Sequence, residues 1–464
     1  MKSKSLIWVL WILLLCRSPL HAGDSTRLGP VPCNIGNTYQ TVSNASNAWQ
    51  RNPSVAYGEG VFLLVWEEGG RESDIHGMIL DERGRPVNEE PLVICNAEGN
   101  QRDPVVCAGP DGFLAVWSDF RSKRDYDLYG TKISFYGKMS QPNGSAISKG
   151  AGNRVWPSLC SIGDAFVAAW SDFRNGRDYD VYMASIPYSA SLAHVKEIPV
   201  ADKNGDLENV SLVQEVRPSV VWDGKRLWMT WLEVLYRNAY VFRSRKLNAA
   251  VQLFDEHLEK AKYTSVSTGK RSMAPLPMFA GTVGETPVFL VTQVRYHYQK
   301  SVSLLTVSEF DFQNRTFRRF SPYLPDNKEK KNWFDMFEFK PGSAALDNWY
   351  LKDTRKGPLS YSYLMAPEVH NCMWTADRGE DHLFVVTEYK NDGIQGLRGW
   401  VLKENVTSSP LSPPGFKVNE EFIAAAPAVA AAGKGTALLA YEADRAVNNC
   451  VIAWRFIKAL PDGK

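Results

Sequence analysis

The 464-residue chain has little cysteine and little histidine, seven of each, and no C-x-x-C pair. That excludes a zinc ribbon or a dithiol redox centre. It also lacks a long apolar run. Residues 6–16 give eleven apolar positions, and residues 422–432 are broken by Pro427, whereas a membrane-crossing helix needs about 20. No membrane insertion is expected. Charge of one sign is missing too, with 53 basic against 51 acidic side chains. Neutralising nucleic-acid phosphates requires a basic excess, so no nucleic-acid partner is expected. There is no G-x-S-x-G elbow, phosphate-binding loop or dinucleotide fingerprint, and no cofactor is implied.

What is present begins with an export signal. Lys2 and Lys4 precede the apolar residues 6–16, and Ser18-Pro19-Leu20-His21-Ala22 follows with a small residue at the expected cut. Leu13-Leu14-Leu15 precede Cys16, so lipidation is not expected. Residues 1–22 are read as a signal peptide and 23–464 as the mature, secreted or periplasmic chain. Cleavage removes three basic residues, leaving 50 against 51 acids. Sequons at Asn44, Asn143, Asn209, Asn314 and Asn405 are about as many as chance supplies, and their use is left open.

A repeat organises the rest. Each unit runs from a Pro through an apolar strand and a Gly turn to a second apolar strand ending in Trp. Pro53 and Trp66, Pro104 and Trp117, Pro157 and Trp170, and Pro218 and Trp231 are each 13 residues apart. The turns contain Gly58-Glu59-Gly60, Asp111-Gly112, Gly163-Asp164 and Asp223-Gly224, the chemistry of hairpins that need positive φ. Residues 61–66, 113–117, 166–170 and 227–231 are apolar at nearly every position, which marks strands buried on both faces. Weaker copies end at Thr292, Thr387 and Tyr441. The spacings between successive ends are 51, 53, 61, 61, 95 and 54 residues.

A period of 50 to 60 in an all-β chain predicts four-stranded antiparallel blades around one axis, a single β-propeller domain. Seven blades are expected, with eight as the alternative, because the long interval holds an irregular insertion or degenerate blade at about 321–352. The string Pro32-Cys33-Asn34 resembles Ile94-Cys95-Asn96 in the last strand of the first repeat. The N-terminal strand is therefore expected to pair with the final repeat, closing the ring and removing an exposed edge. Cys33 and Cys450 would then lie on neighbouring strands, and a disulfide between them is expected.

The most specific string is Trp117-Ser118-Asp119-Phe120-Arg121 with Asp127 and Tyr129. It recurs as Trp170-Ser171-Asp172-Phe173-Arg174 with Asp180 and Tyr182. Here the sequence resembles the secreted β-propeller repeat proteins whose blades read W-x-D-x-R and then D-[IV]-Y. The resemblance covers residues 50–185 and implies a fold and an extracytoplasmic setting without a single activity. Because the set repeats, Asp119, Arg121, Asp127, Asp172, Arg174 and Asp180 are read as structural pairs that tie down their own loops.

Arg51, Arg102, Arg154 and Arg217, with Arg271 a weaker fifth, recur just before the inner strand and are expected to ring one end of the central channel. Such arginines suit a carboxylate, and repetition also allows each to pair with a neighbouring loop acid. Trp333 and Phe337 in the insertion are candidates for an exposed platform. His370, Cys372, Asp377, Asp381 and His382 crowd together without a standard ligand spacing, so no metal is assigned. An S-x-D-x-G-x-x-W box is absent. The reading is a monomeric, secreted binding module for a protein or glycan ligand held on one face. The alternative is a glycan-active hydrolase or lyase of sialidase-like architecture, whose mark would be two or more carboxylates on the channel without an Arg partner.

Overall fold

The computed structural model describes residues 28–36, 40–42, 49–70, 72–193, 195–201, 212–236, 245–255, 257–269, 278–283, 286–297, 300–311, 316–319, 338–339, 374–379, 382–391, 394–404, 415–418, 423–444 and 450–460. Among the described residues there is no helix, and the strands form seven antiparallel sheets. Numbered in chain order, sheet 1 spans 49–95, sheet 2 spans 101–148, sheet 3 spans 154–201 and sheet 4 spans 212–269. Sheet 5 is built from 278–319, sheet 6 from 374–418 and sheet 7 from 423–459. Within sheets 1 to 4 the four strands lie in sequence order, joined by hairpins.

The apolar second strands explain how the sheets stack. Phe62, Leu63, Leu64, Val65 and Trp66 are all fully buried. Side chains alternate across a strand, so Phe62, Leu64 and Trp66 pack with Leu438, Ala440 and Ile452 of sheet 7. Leu63 and Val65 face the other way, onto Phe113, Ala115 and Trp117 of sheet 2. Sheet 2 repeats the device, sending Leu114 and Val116 against Phe166, Ala168 and Trp170 of sheet 3. Sheets 1 and 2 are thus packed on both faces through residues 62–66 and 113–117. The first strand of each sheet lies beside the first strand of the next, and that of sheet 7 lies beside that of sheet 1.

The repeated prolines sit in bulges. Register breaks between Arg51 and Ser54, Arg102 and Val105, Val155 and Ser158, Val216 and Ser219, and Ala425 and Ala428. Pro cannot donate to a ladder, so within a sheet it belongs at such a break. The residue directly before each Pro is left-handed: Asn52 (φ 49°), Asp103 (53°), Trp156 (53°), Arg217 (55°) and Ala426 (46°). A residue with a Cβ pays about 1–2 kcal/mol for that conformation. Acceptors from the neighbouring sheet hold it in three cases. The Asn52 N–H donates to Glu442 Oε1 at 2.8 Å, that of Asp103 to Glu67 Oε1 at 2.6 Å, and that of Arg217 to Ser171 Oγ at 2.9 Å.

The N-terminal segment supplies outer strands to two sheets. Leu28–Val31 pairs with the third strand of sheet 6, and Cys33–Ile35 and Gln40–Thr41 pair with Cys450–Ala459, the third strand of sheet 7. This register corrects the expected disulfide. Cys33 stands opposite Ala459, nine residues along the strand from Cys450, a distance of about 30 Å in extended chain. The two thiols are not joined, and Cys450 Sγ instead lies 3.8 Å from Glu442 Oε2. Of the stretch 321–352 only Glu338–Phe339 is described, paired with the third strand of sheet 5. The signal peptide, Trp333, Phe337 and Arg271 lie outside the described residues. No helix among the described residues is long and apolar enough to cross a membrane.

Candidate functional site

The repeated loop motif closes on itself. Trp117 Nε1 donates to Asp119 Oδ2 at 2.8 Å, while Arg121 clamps the same carboxylate through Nε at 2.8 Å and Nη2 at 2.7 Å. The Arg121 guanidinium lies 3.9 Å from the centre of the Tyr129 ring. Sheet 3 copies every contact, with Trp170 and Arg174 on Asp172 and the guanidinium 3.9 Å from the Tyr182 ring centre. Asp119 and Asp172 are fully buried. Asp127 accepts from the Gly150 N–H and Asp180 from Asn175 Nδ2, each at 2.9 Å. All of these acids are occupied by their own loops.

The four described arginines do not share one position in the repeat, although the bulge falls at the same place in each sheet. Counted from the repeated Pro, Arg51 and Arg102 stand two residues before it, Arg154 three and Arg217 one. Arg154 is 4% exposed, donates to Ser148 Oγ and to the carbonyls of Gly150, Ala151 and Gly152, and lies 3.6 Å from Asp172. It braces a loop and is withdrawn from the ligand-binding set. Arg51 is exposed, with its guanidinium 4.4 Å from the Trp49 ring centre.

Arg102 and Arg217 are different. Among the described residues neither guanidinium makes a hydrogen bond or an ion pair. Arg102 is exposed. Arg217 lies deep in the molecule, where burial works against its charge and Asp103 partly restores it. Yet it keeps accessible surface. Its guanidinium sits 5.2 Å from the Trp156 ring centre.

Two acids missed by the sequence reading complete the cluster. Glu67 Oε1 accepts from Asn52 Nδ2 at 2.7 Å and from the Asp103 N–H. Burial and the neighbouring Asp103 push its carboxyl up to about 7. Asp103 is raised as well, by burial foremost, with Arg217 and Arg102 pulling the other way. Its carboxylate makes no hydrogen bond among the described residues. Aromatic rings wall the same end. Trp156 and Tyr179 centroids are 5.6 Å apart, Phe173 is 5.0 Å from Tyr179, and Tyr126 joins their cluster. The cue was positional. Within a constant frame, the residue before Pro varies (Asn52, Asp103, Trp156, Arg217), as does the residue after the strand-ending Trp (Glu67, Ser118, Ser171, Leu232).

His370, Cys372 and Asp381 lie outside the described residues. Asp377 Oδ2 accepts from the Ala431 N–H at 2.8 Å, and no group of three metal-ligating side chains occurs among the described residues.

No protein-family model and no curated protein matches the chain. Solved structures of similar shape include a protein of unknown function from Dyadobacter fermentans, 12% identical, covering 93% of this chain and 99% of that one at a TM-score of 0.43. The hemagglutinin-neuraminidase ectodomain of parainfluenza virus 5 is 8% identical over 93% and 84%, at 0.43. A puromycin-hydrolyzing peptidase of Mycobacterium tuberculosis is 11% identical over 91% and 55%, at 0.46. At such distances none of them bears on what this chain binds.

Proposed function

We propose that the chain is an exported, seven-bladed β-propeller that binds a glycan at one mouth of its central channel. Seven sheets, each first strand beside the next, and the shared core of sheets 7 and 1 support the ring. The N-terminal strand on sheet 7 supports its closure. One observation carries the binding reading. Glu67, Asp103, Arg102 and Arg217 come together from sheets 1, 2 and 4 beside the aromatic cluster of sheets 2 and 3, and the charged ends of the last three make no hydrogen bond or ion pair among the described residues. Polar groups placed beside the half-buried Tyr126 and Phe173 rings suit a saccharide.

The test is a glycan panel followed by calorimetry with the mature chain. Arg102→Ala, at an exposed position, should weaken binding about tenfold with an unchanged melting temperature. A panel that stays blank while a protein partner is captured through the same residues would replace the glycan with a protein.

A second reading, glycan hydrolysis, is favoured by Glu67 alone. A carboxyl titrating near 7 beside a second acid can donate a proton at neutral pH. Release of reducing sugar that is lost in Glu67→Gln, with binding retained, would establish it.

A further inference from the structure

Every other described guanidinium that is half-buried or buried has at least one donor answered by protein. Arg121 and Arg174 each clamp a buried carboxylate, and Arg154 meets a hydroxyl and three carbonyls. Arg217 is the exception. Its backbone is held by three restraints: the left-handed φ of 55°, Pro218 behind it, and the hydrogen bond from its N–H to Ser171 Oγ. That anchorage fixes where the side chain leaves the strand. The guanidinium then lies against Trp156 with five donors and no acceptor among the described residues. Asp103 is within electrostatic reach but makes no ion pair with it.

A half-buried cation loses part of its hydration, and without a hydrogen-bond partner that loss is uncompensated. An arrangement that keeps such a cation, and spends hydrogen bonds on aiming it, has its counter-ion elsewhere. Building on the binding site above, we infer that the ligand is anionic, a saccharide carrying a carboxylate that docks on the Arg217 fork, with Arg102 as the outer cation.

Charge balance agrees. Glu67 and Asp103 would cancel both arginines if fully ionised, but burial and the neighbouring Asp103 push the Glu67 carboxyl up to about 7, so the two acids answer the arginines only in part near neutrality. A planar carboxylate accepts two parallel N–H bonds from a guanidinium, which a neutral hydroxyl cannot do.

The experiment is calorimetry on the full mature chain at pH 7 with galacturonate oligosaccharides, neutral galactose oligosaccharides of the same length, and inorganic phosphate. The uronates should bind at least about tenfold tighter than the neutral sugars, and Arg217→Lys, which keeps the charge and loses the fork, should lose about ten- to a hundredfold. Arg102→Gln provides a second variant at an exposed position, where folding is not at issue, and should lose less. Neutral sugars binding as well as uronates would overturn the inference and leave the glycan site standing. Phosphate binding as tightly as a uronate would overturn the carboxylate. Failure of every saccharide would overturn both readings together.

Discussion

Two sets of charged groups lie within sheets 1 to 4, and they are treated in opposite ways. In the loops after Trp117 and Trp170, an acid, an arginine, an indole N–H and a tyrosine ring satisfy one another, and the second loop copies the first contact by contact. At the first-strand bulges of sheets 2 and 4, Asp103, Arg102 and Arg217 differ from sheet to sheet, and their charged ends make no hydrogen bond or ion pair among the described residues. Repetition marks what every blade needs in order to fold. Departures from it, at positions the same frame holds fixed, mark what one end of the molecule does.

The largest expected effect breaks the satisfied set. Asp119→Ala strands the Trp117 indole and the Arg121 guanidinium, both tied to a fully buried carboxylate. It should cost about 3–5 kcal/mol, read as a lowered denaturation midpoint in urea. A smaller effect joins the two sets. Ser171→Ala removes the acceptor for the Arg217 N–H and should cost about 1 kcal/mol of stability, while weakening ligand binding because the left-handed residue is less firmly held. Unchanged affinity in a folded Ser171→Ala protein would separate the backbone anchor from the site.

A third effect is a matter of pH. Glu67 is raised from its ordinary 4.5 to about 7 in the folded chain. Between those values the folded protein keeps a proton that the unfolded chain releases, so stability falls as pH rises through that window and levels above it. Glu67→Gln keeps an oxygen to accept from Asn52 and Asp103 and removes the buried charge. It should flatten much of the fall and add about 1–3 kcal/mol at pH 8, measured by urea denaturation at pH 5 and pH 8. Asp103, shifted the same way, should leave a residual slope.

Much of the architecture was legible because it repeats. The interval of 13 residues from Pro to Trp fixed the pairing of first and second strands, and the uninterrupted apolar runs announced burial on both faces. The bulge was hidden, since a residue before Pro carries no visible sign that it will turn left-handed. The arginines were misaligned for another reason: Arg154 stands three residues before its Pro and Arg102 two, and that one-residue offset turns the Arg154 side chain onto the loop at 148–152. The Cys33–Cys450 pairing failed for a related reason. A neighbouring strand was correctly chosen, but its register depends on where the N-terminal segment leaves sheet 6 for sheet 7, which no local motif states. Glu67 escaped because burial and a second acid, neither visible in the string Trp66-Glu67-Glu68, make it unusual.

The central claim is that the answered charges are scaffold and the unanswered ones are a site. It is tested most directly by measuring unfolding free energy and ligand affinity side by side for Asp119→Ala and Arg102→Ala. The account predicts opposite outcomes: a large loss of stability with affinity kept by the folded fraction for the first, and a stability change within about 0.5 kcal/mol with a clear loss of affinity for the second. If Arg102→Ala instead destabilises the fold and binds as before, the channel-mouth charges belong to the scaffold and the proposed site is wrong.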